Sequence, residues 1–435
     1  MKQRIGILVL HFAIFFALAY AYENFVSVQY GYEGYVFHPD EANRSLALIC
    51  VAALSLITPV EARKPSTIFH HLTLVAVLLP MLVMFYAAGQ PWEYMAQCMF
   101  AYAVTTILPL FLKITPPKFA NLSKHDLRRV LVMITFIYIV AVLLMGGARY
   151  MNFDLSRVYD FRRDAASNLP GIFAYISPLI GKVVVPIALV ISLLYKKYST
   201  ALLVVGCAIL IFGMTAHKST LFAPFAILLV YYVSLSRNLI FKFNLALLAL
   251  IMVGLGDFWL QQNYSPDTFG TMATMTLQRV LFTPAYLNNL YFDFFSKNEW
   301  VLFSNSKLSL GLMDYPYTMD VSYQIGYTYF NDDRMSANTG WFGSAYMQAG
   351  FMGVLLYAVI MSALYKYIDA CARRSGEPAL ITASVIVPAI VIITSADLPV
   401  SLVTHGLYVN LLLIACFHKE DISHAYSPPQ QRSFA

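Results

Sequence analysis

The stretch Leu72-Thr73-Leu74-Val75-Ala76-Val77-Leu78-Leu79-Pro80-Met81-Leu82-Val83-Met84-Phe85-Tyr86-Ala87-Ala88 contains no charged residue. It is too long for a buried strand and close to the length of helix that crosses a hydrocarbon layer of about 30 Å. Working outward from it in windows of about 20 residues, eleven further apolar runs emerge. They cover residues 5–20, 46–60, 95–112, 130–145, 172–194, 201–214, 221–233, 245–260, 346–364, 379–394 and 400–417. The pattern predicts an all-α polytopic membrane protein of about twelve transmembrane helices, with residues 1–435 forming one integral domain. A β-barrel would show short alternating segments instead. The pair of runs around His217 is short, and a re-entrant hairpin there would leave the parity of later helices unchanged.

Composition agrees. Of 435 residues, 59% are hydrophobic and 12% charged, and the mean hydropathy is +0.64. A soluble domain carries about 25% charged residues, so soluble, disordered and fibrous classes are excluded. Met1-Lys2-Gln3-Arg4, an apolar stretch and Ala19-Tyr20-Ala21 have the outline of a cleavable signal. We expect this segment to be retained as the first helix. The five cysteines form neither a CxxC nor a Cys/His metal spacing.

With the N-terminus placed inside and sides alternating, the inner loops hold 18 of the 29 basic residues and six acidic ones. That is a net +12 inside, leaving −6 for the remainder of a chain whose total is +6. The bias obeys the positive-inside rule and predicts that both termini are cytoplasmic. It also accounts for the basic pI without nucleic-acid binding.

Two segments fall outside: a first working loop at 146–171 and a large loop at 261–345 of 85 residues, 18 of them aromatic. The inner loops lack any phosphate-cradling glycine motif, which puts the chemistry at the outer face and independent of ATP. Within the large loop, residues 276–295 read as a helix, with Pro284 kinking or interrupting it. One side is polar (Gln278, Arg279, Asn288, Asn289, Asp293) and the other apolar (Leu281, Tyr286, Leu290, Phe294). An interfacial helix on the bilayer fits this pattern, and so does a glycan-stacking platform.

The first loop gathers Arg149, Arg157, Arg162 and Arg163 beside Asp154, Asp160 and Asp164. These residues suit exposed ion pairs, or a clamp for a phosphorylated lipid headgroup, because guanidinium forks bind phosphate oxygens bidentately. His217-Lys218 at an outer tip is either an anion contact or a solvated turn. His405 near the outer end of the last run, Asp397 in the loop before it, Lys182 and His11 are ionisable groups in or beside apolar segments.

The large loop carries a recognisable order of motifs. Arg279-Val280-Leu281-Phe282-Thr283-Pro284-Ala285-Tyr286-Leu287-Asn288 leads into Tyr291-Phe292-Asp293-Phe294-Phe295. Then come Phe303-Ser304-Asn305-Ser306, Tyr315-Pro316-Tyr317 and Ile325-Gly326-Tyr327-Thr328-Tyr329-Phe330. Asn338-Thr339-Gly340-Trp341-Phe342-Gly343 closes it, followed by Tyr346, Gly350 and Gly353. This order resembles the bacterial O-antigen polymerase (Wzy) family of oligosaccharide repeat-unit polymerases. The likeness covers the large loop and the start of the next helix and is topological elsewhere. Many members of that family have arginine at the position of Lys218.

The resemblance implies a GT-C-like glycosyltransferase of the bacterial inner membrane, working at the periplasmic face. A hydroxyl of one undecaprenyl-diphosphate-linked repeat unit attacks the anomeric carbon of another chain, and polyprenyl diphosphate leaves. An O-antigen ligase and a lipid-linked oligosaccharide transporter are the alternatives. With the polymerase reading, the expected catalytic residues are Arg157, Arg279, Asp333 and His217, the cations stabilising the leaving diphosphate. Arg162, Arg163, Lys218, Arg334, Asn338 and Tyr346 are the expected substrate-binding residues. Asp332, Asp160 and His405 remain alternatives for the base. No metal ligand cluster or cofactor is expected. The expected partners are the lipid-linked glycans, membrane lipids and, by family, a chain-length-determining co-polymerase.

Overall fold

The computed structural model describes residues 2–117, 119, 122–153, 172–215, 217–264, 270–306, 309 and 311–419. Among these residues there are helices and no strands.

Helix α1 runs through Lys2–Ala21, a wide π turn at Tyr22–Val26 and Ser27–Tyr30. Helix α2 is Glu41–Ile57, capped by the Asp40 carboxylate accepting the Asn43 amide at 2.8 Å. Helix α3 comprises Pro65–Thr73, a π turn at Leu74–Leu78, and Leu79–Ala87. Helices α4 (Trp92–Phe111) and α5 (Lys124–Leu144) follow. Helix α6 comprises Phe173–Leu179, a π turn at Ile180–Val184, and Val185–Leu194. Then come α7 (Tyr198–Thr215), α8 (Lys218–Ser234) and α9 (Leu239–Tyr264). In the large loop, α10 joins Thr271–Ala273, a long π segment Thr274–Phe282 and Thr283–Phe295. After it lie α11 (Val321–Phe330), α12 (Trp341–Ser375), α13 (Pro378–Thr394), α14 (Leu398–Leu402) and α15 (Leu407–Ala415).

Eight of the described helices are long and apolar enough to cross a membrane: α1, α3, α4, α5, α6, α7, α9 and α12. The other apolar runs of the sequence fall on shorter elements, namely α2, α8, α13 and the split pair α14–α15. At about 1.5 Å per residue, the 18-residue α7 is about 27 Å long, nearly a full crossing. Helix α3 is the axis of the bundle, its apolar window buried throughout. Helix α13 is nearly as buried. Around them α1 packs on α9, α4 and α10 pack on α12, and α8 packs on α13.

Prolines explain the wide turns. Pro80, Pro186 and Pro284 each stand just after a π segment. A helix-interior proline lacks an N–H and clashes with the carbonyl four residues back. A wider turn ahead of it opens the backbone and relieves that clash without ending the helix. Pro284 therefore does not interrupt α10; of the two outcomes expected from the sequence, a kink or an interruption, the helix avoids the second by a local widening ahead of the proline.

Candidate functional site

Helix α10 decides where chemistry can be placed. The sequence suggests an amphipathic helix with Gln278, Asn288 and Asn289 facing water, but these three side chains are buried. Nearly every residue from Leu281 to Phe295 is buried too, because α10 inserts into the bundle against α3, α9 and α12. Only Arg279 of the expected wet side is exposed, with Asp293 half-buried.

The two buried asparagines find partners inside the protein, which is what makes their burial tolerable, whereas Gln278 Oε1 is buried without a hydrogen-bond partner. Asn288 Nδ2 donates to the Pro284 carbonyl at 2.7 Å, and Asn289 Nδ2 to the Ala285 carbonyl at 3.2 Å. Asn288 Oδ1 accepts the Gly343 amide at 2.6 Å and the Tyr94 hydroxyl at 3.4 Å. Beside it, the rings of Tyr94 and Phe292 stack with centroids 4.8 Å apart, and Tyr346 lies 4.9 Å from Phe292.

The Asn-Thr-Gly-Trp-Phe-Gly segment is the entry into α12. A Cβ at Gly340 would run into the Ile393 carbonyl, so glycine permits the close approach of α13. Further along, α12 breaks: Ala349 and Gly350 leave helical geometry, with Gly350 at φ +58° and ψ −139°. Only glycine adopts such a conformation readily. The carbonyls freed by the break are taken by the loop after α10. The Val301 amide donates to Met347 O at 2.8 Å, and the Leu302 amide to Gln348 O at 3.1 Å. The Phe303 amide donates to Gln348 Oε1 at 2.6 Å. The half-exposed Trp300 indole lies over Gly350, 2.9 Å from where a Cβ would sit.

Asp397 joins this break to the end of α13. Its Oδ1 accepts the Tyr357 hydroxyl at 2.8 Å and the Leu398 amide at 2.7 Å. Its Oδ2 receives a long contact of 3.4 Å from Gln348 Nε2, and the Ser344 hydroxyl also interacts with the carboxylate. Burial pushes the carboxyl up to about 6, against the opposing pull of the Tyr357 and Leu398 hydrogen bonds. No ion pair reaches Asp397 among the described residues.

A second acid, Asp293, ties α10 to α11. It accepts from Lys297 Nζ at 2.6 Å and from the Tyr329 hydroxyl at 2.5 Å. Burial pushes this carboxyl up, but the bonds from Lys297 and Tyr329 outweigh that and hold it below its ordinary value.

The opposite end of the bundle contains a buried histidine network. His71 Nε2 is 3.0 Å from the Pro59 carbonyl, so that nitrogen carries the proton. His71 Nδ1 is then bare and accepts from Asn244 Nδ2 at 2.9 Å. His11 Nε2 faces two acceptors, Asn244 Oδ1 at 3.1 Å and His71 Nδ1 at 3.2 Å, so it too is protonated. His11 Nδ1 lies 2.9 Å from Ser55 Oγ. Nearby, Ser66 Oγ donates to Asp369 Oδ2 at 2.7 Å. The sequence reading singled out His11 alone. Its partners come from α2, α3 and α9, and no local spacing links them.

The expected site residues are spread over several regions. Arg157, Arg162, Arg163 and Asp160 lie outside the described residues. Arg279 is exposed on the π segment of α10, within electrostatic reach of Tyr32. Asp333 and Arg334 face each other at 4.0 Å on the surface. Asp332 Oδ1 accepts the Arg334 amide at 2.8 Å. Asn338 is exposed and donates to Ser336 Oγ at 2.8 Å. Tyr346 belongs to the buried ring cluster. His217 precedes α8, with Lys218 the first residue of that helix. His217, Lys182 and His405 are electrostatic neighbours, and His405 Nδ1 is buried with no hydrogen-bond partner.

Among the described residues no group of three or more His, Cys, Asp and Glu side chains is arranged to hold a metal. The residues that sequence reading passed over are Gln348 and Tyr357, at the break in α12; Asp397 it named only as an ionisable group beside an apolar segment. A polar residue two positions before a glycine in an apolar run was the available signal. No family model matches this chain, and neither does any curated protein or solved structure.

Proposed function

We propose that the protein is a nucleotide-sugar-independent glycosyltransferase that polymerises undecaprenyl-diphosphate-linked oligosaccharide repeat units into O-antigen or a related surface polysaccharide. In this reading it is a bacterial inner-membrane protein of about twelve crossings. Both termini are cytoplasmic, the architecture is GT-C-like and the active face is periplasmic. The observation that carries the proposal is the insertion of α10 beside the break in α12. There residues 300–303 of the large loop dock on the break, which sets the exposed Trp300 indole over Gly350, while Gln348 beside it contacts Asp397. The order of aromatic and glycine motifs along the same loop supports it.

The chemistry follows from the bonds exchanged. An acceptor hydroxyl attacks the anomeric carbon, and the diphosphate leaves with the electrons of the broken C–O bond. Arginines 157, 162, 163 and 279, with Lys218 and Arg334, are the proposed stabilisers of that charge. A chain-length-determining co-polymerase is the proposed partner. The second reading is a transporter of the same lipid-linked glycan, favoured by the broken helix α12 and the split α14–α15.

Reconstitution into liposomes with a purified undecaprenyl-diphosphate repeat unit separates these readings. A ladder of products without ATP is the expected result. Movement of lipid-linked glycan with no new glycosidic bond would instead establish transport. A single transfer to lipid A core would establish a ligase.

A further inference from the structure

We propose that Asp397 is the acid–base residue of this site, its Oδ2 receiving the proton of the attacking sugar hydroxyl. The assignment rests on the polymerase reading and supplies the base that reading lacks.

The two carboxylate oxygens differ. Oδ1 is occupied by the Tyr357 hydroxyl and the Leu398 amide, which fix the orientation of the group. Oδ2 has one long hydrogen bond, from Gln348 Nε2 at 3.4 Å; the Ser344 hydroxyl also interacts with the carboxylate but gives its proton to the Gly340 carbonyl at 2.9 Å, so Oδ2 keeps room to accept a proton. Tyr357 and Gln348 are fully buried, whereas Asp397 keeps a partly exposed edge. The acid is thus anchored from behind by Tyr357 and Gln348.

Its surroundings suit proton transfer. The titratable groups that face it are two phenols, Tyr357 of α12 and Tyr291 of α10. No cation pairs with it among the described residues, so its charge is not locked into a structural ion pair. Gln348 also holds the Phe303 amide at 2.6 Å, which fixes the segment carrying Trp300. The exposed face of that indole offers a surface on which a sugar ring stacks.

The step balances without a cofactor. The acceptor O–H bond breaks and its proton goes to Asp397 Oδ2. The oxygen bonds to the anomeric carbon, the bond from that carbon to the diphosphate breaks, and the electron pair departs on the diphosphate. Water later takes the proton from Asp397.

The test uses purified full-length wild type, Asp397→Asn, Asp397→Glu and Tyr357→Phe, assayed with an undecaprenyl-diphosphate repeat unit across acidic to mildly alkaline pH. The wild-type rate should rise with pH through one ionisation near 6. Asp397→Asn should fall by about 10²–10⁴-fold and lose that rise. Asp397→Glu should keep partial activity with a displaced pH rise, and Tyr357→Phe should displace it too. Thermal unfolding of each variant shows whether it is folded. Wild-type ladders from a folded Asp397→Asn, or an unchanged pH rise in it, overturn the assignment and leave the polymerase reading standing. No ladder from the wild type overturns both.

Discussion

Asn288 Oδ1 accepts the backbone N–H of Gly343 at 2.6 Å, so a side chain of α10 caps the first turn of α12. The residue at the cap position of α12 itself is Gly340, which has no side chain to do so. The capping is therefore supplied from 55 residues away, and it ties the loop helix to the span that follows. Replacing Asn288 by Ala leaves the buried Gly343 amide unsatisfied and should destabilise the protein by about 1–3 kcal/mol. Asn288→Asp keeps an acceptor for Gly343 but buries a carboxylate and loses the donor to the Pro284 carbonyl, so it should be no better than Ala at neutral pH and improve in acid. Thermal unfolding in detergent ranks the three proteins, and equal midpoints would remove the capping argument.

Gly340 tests the junction of α12 with α13. A Cβ there meets the Ile393 carbonyl, a backbone atom that cannot rotate away. Gly340→Ala should cost about 1–3 kcal/mol, as overpacking in a dense interior does. At Gly343 the nearest atoms to an added Cβ are the Thr339 side chain at 2.9 Å and Asn288 Oδ1 at 3.0 Å. Side chains yield more readily than backbone, so Gly343→Ala should be the milder change. Folded yield and unfolding midpoint of the pair check the order.

These two residues also show what was legible in the sequence. Apolar runs name the helices because an uncharged stretch of that length has few other uses. The motif around Gly340 and Gly343 marks the entry into α12, where the chain passes close to the end of α13. The polar face of α10 could not be read correctly, because Gln278, Asn288 and Asn289 have the same periodicity whether their partners are water or protein. The break at Gly350 was equally hidden. A glycine within an apolar helix is often tolerated without distortion, and only the docking of residues 301–303 fixes its conformation. Arg157, Arg162 and Arg163 lie outside the described residues, so the proposed clamp rests on sequence.

Asp293 yields a pH prediction. Its folded carboxyl is held below the ordinary value of 3.8, after the bonds from Lys297 and Tyr329 overcome the effect of burial. A depressed acid contributes stability that is present above its unfolded value and is lost as pH falls through its folded value. Asp293→Asn should therefore be less stable than wild type at neutral pH, and the gap should close in strong acid. The carboxyl is partly exposed, so the effect should be small. Tyr329→Phe should behave in the same way, read as protease resistance of the α10–α11 segment. A gap that persists unchanged below about pH 3 would break the link to this carboxyl.

Asp397 has the opposite sign. Burial raises its folded value from 3.8 to about 6, so the native state binds the proton more tightly than the unfolded chain does. Stability from this group is complete below 3.8 and is lost as pH rises through about 6. Asn resembles the protonated acid and can still accept from Tyr357. Asp397→Asn should thus be more stable than wild type at alkaline pH, by about 1–3 kcal/mol, with the advantage vanishing in acid. A variant that gains stability while losing activity indicates an acid kept for function. Lower stability of Asp397→Asn at alkaline pH would mean that the carboxylate is structural.

The histidine network gives a prediction at the other end of the bundle. Asn244 is the hub: Oδ1 accepts from His11 Nε2, and Nδ2 donates to His71 Nδ1 and to the Ile240 carbonyl. Three helices, α1, α3 and α9, therefore meet at one amide. Ser55 of α2 has one hydroxyl proton, for which the Val51 carbonyl at 2.6 Å and His11 Nδ1 at 2.9 Å compete. Asn244→Ala leaves two buried imidazoles without their partner and should cost about 1–3 kcal/mol. His11→Ala should cost a similar amount, but the double variant should cost less than the sum, with a coupling of about 0.5–3 kcal/mol. Asn244→Asp should do worse than Asn244→Gln, because it buries a carboxylate and removes the donor to His71 Nδ1. Strict additivity of His11→Ala and Asn244→Ala in unfolding experiments would show that the hub carries no shared energy.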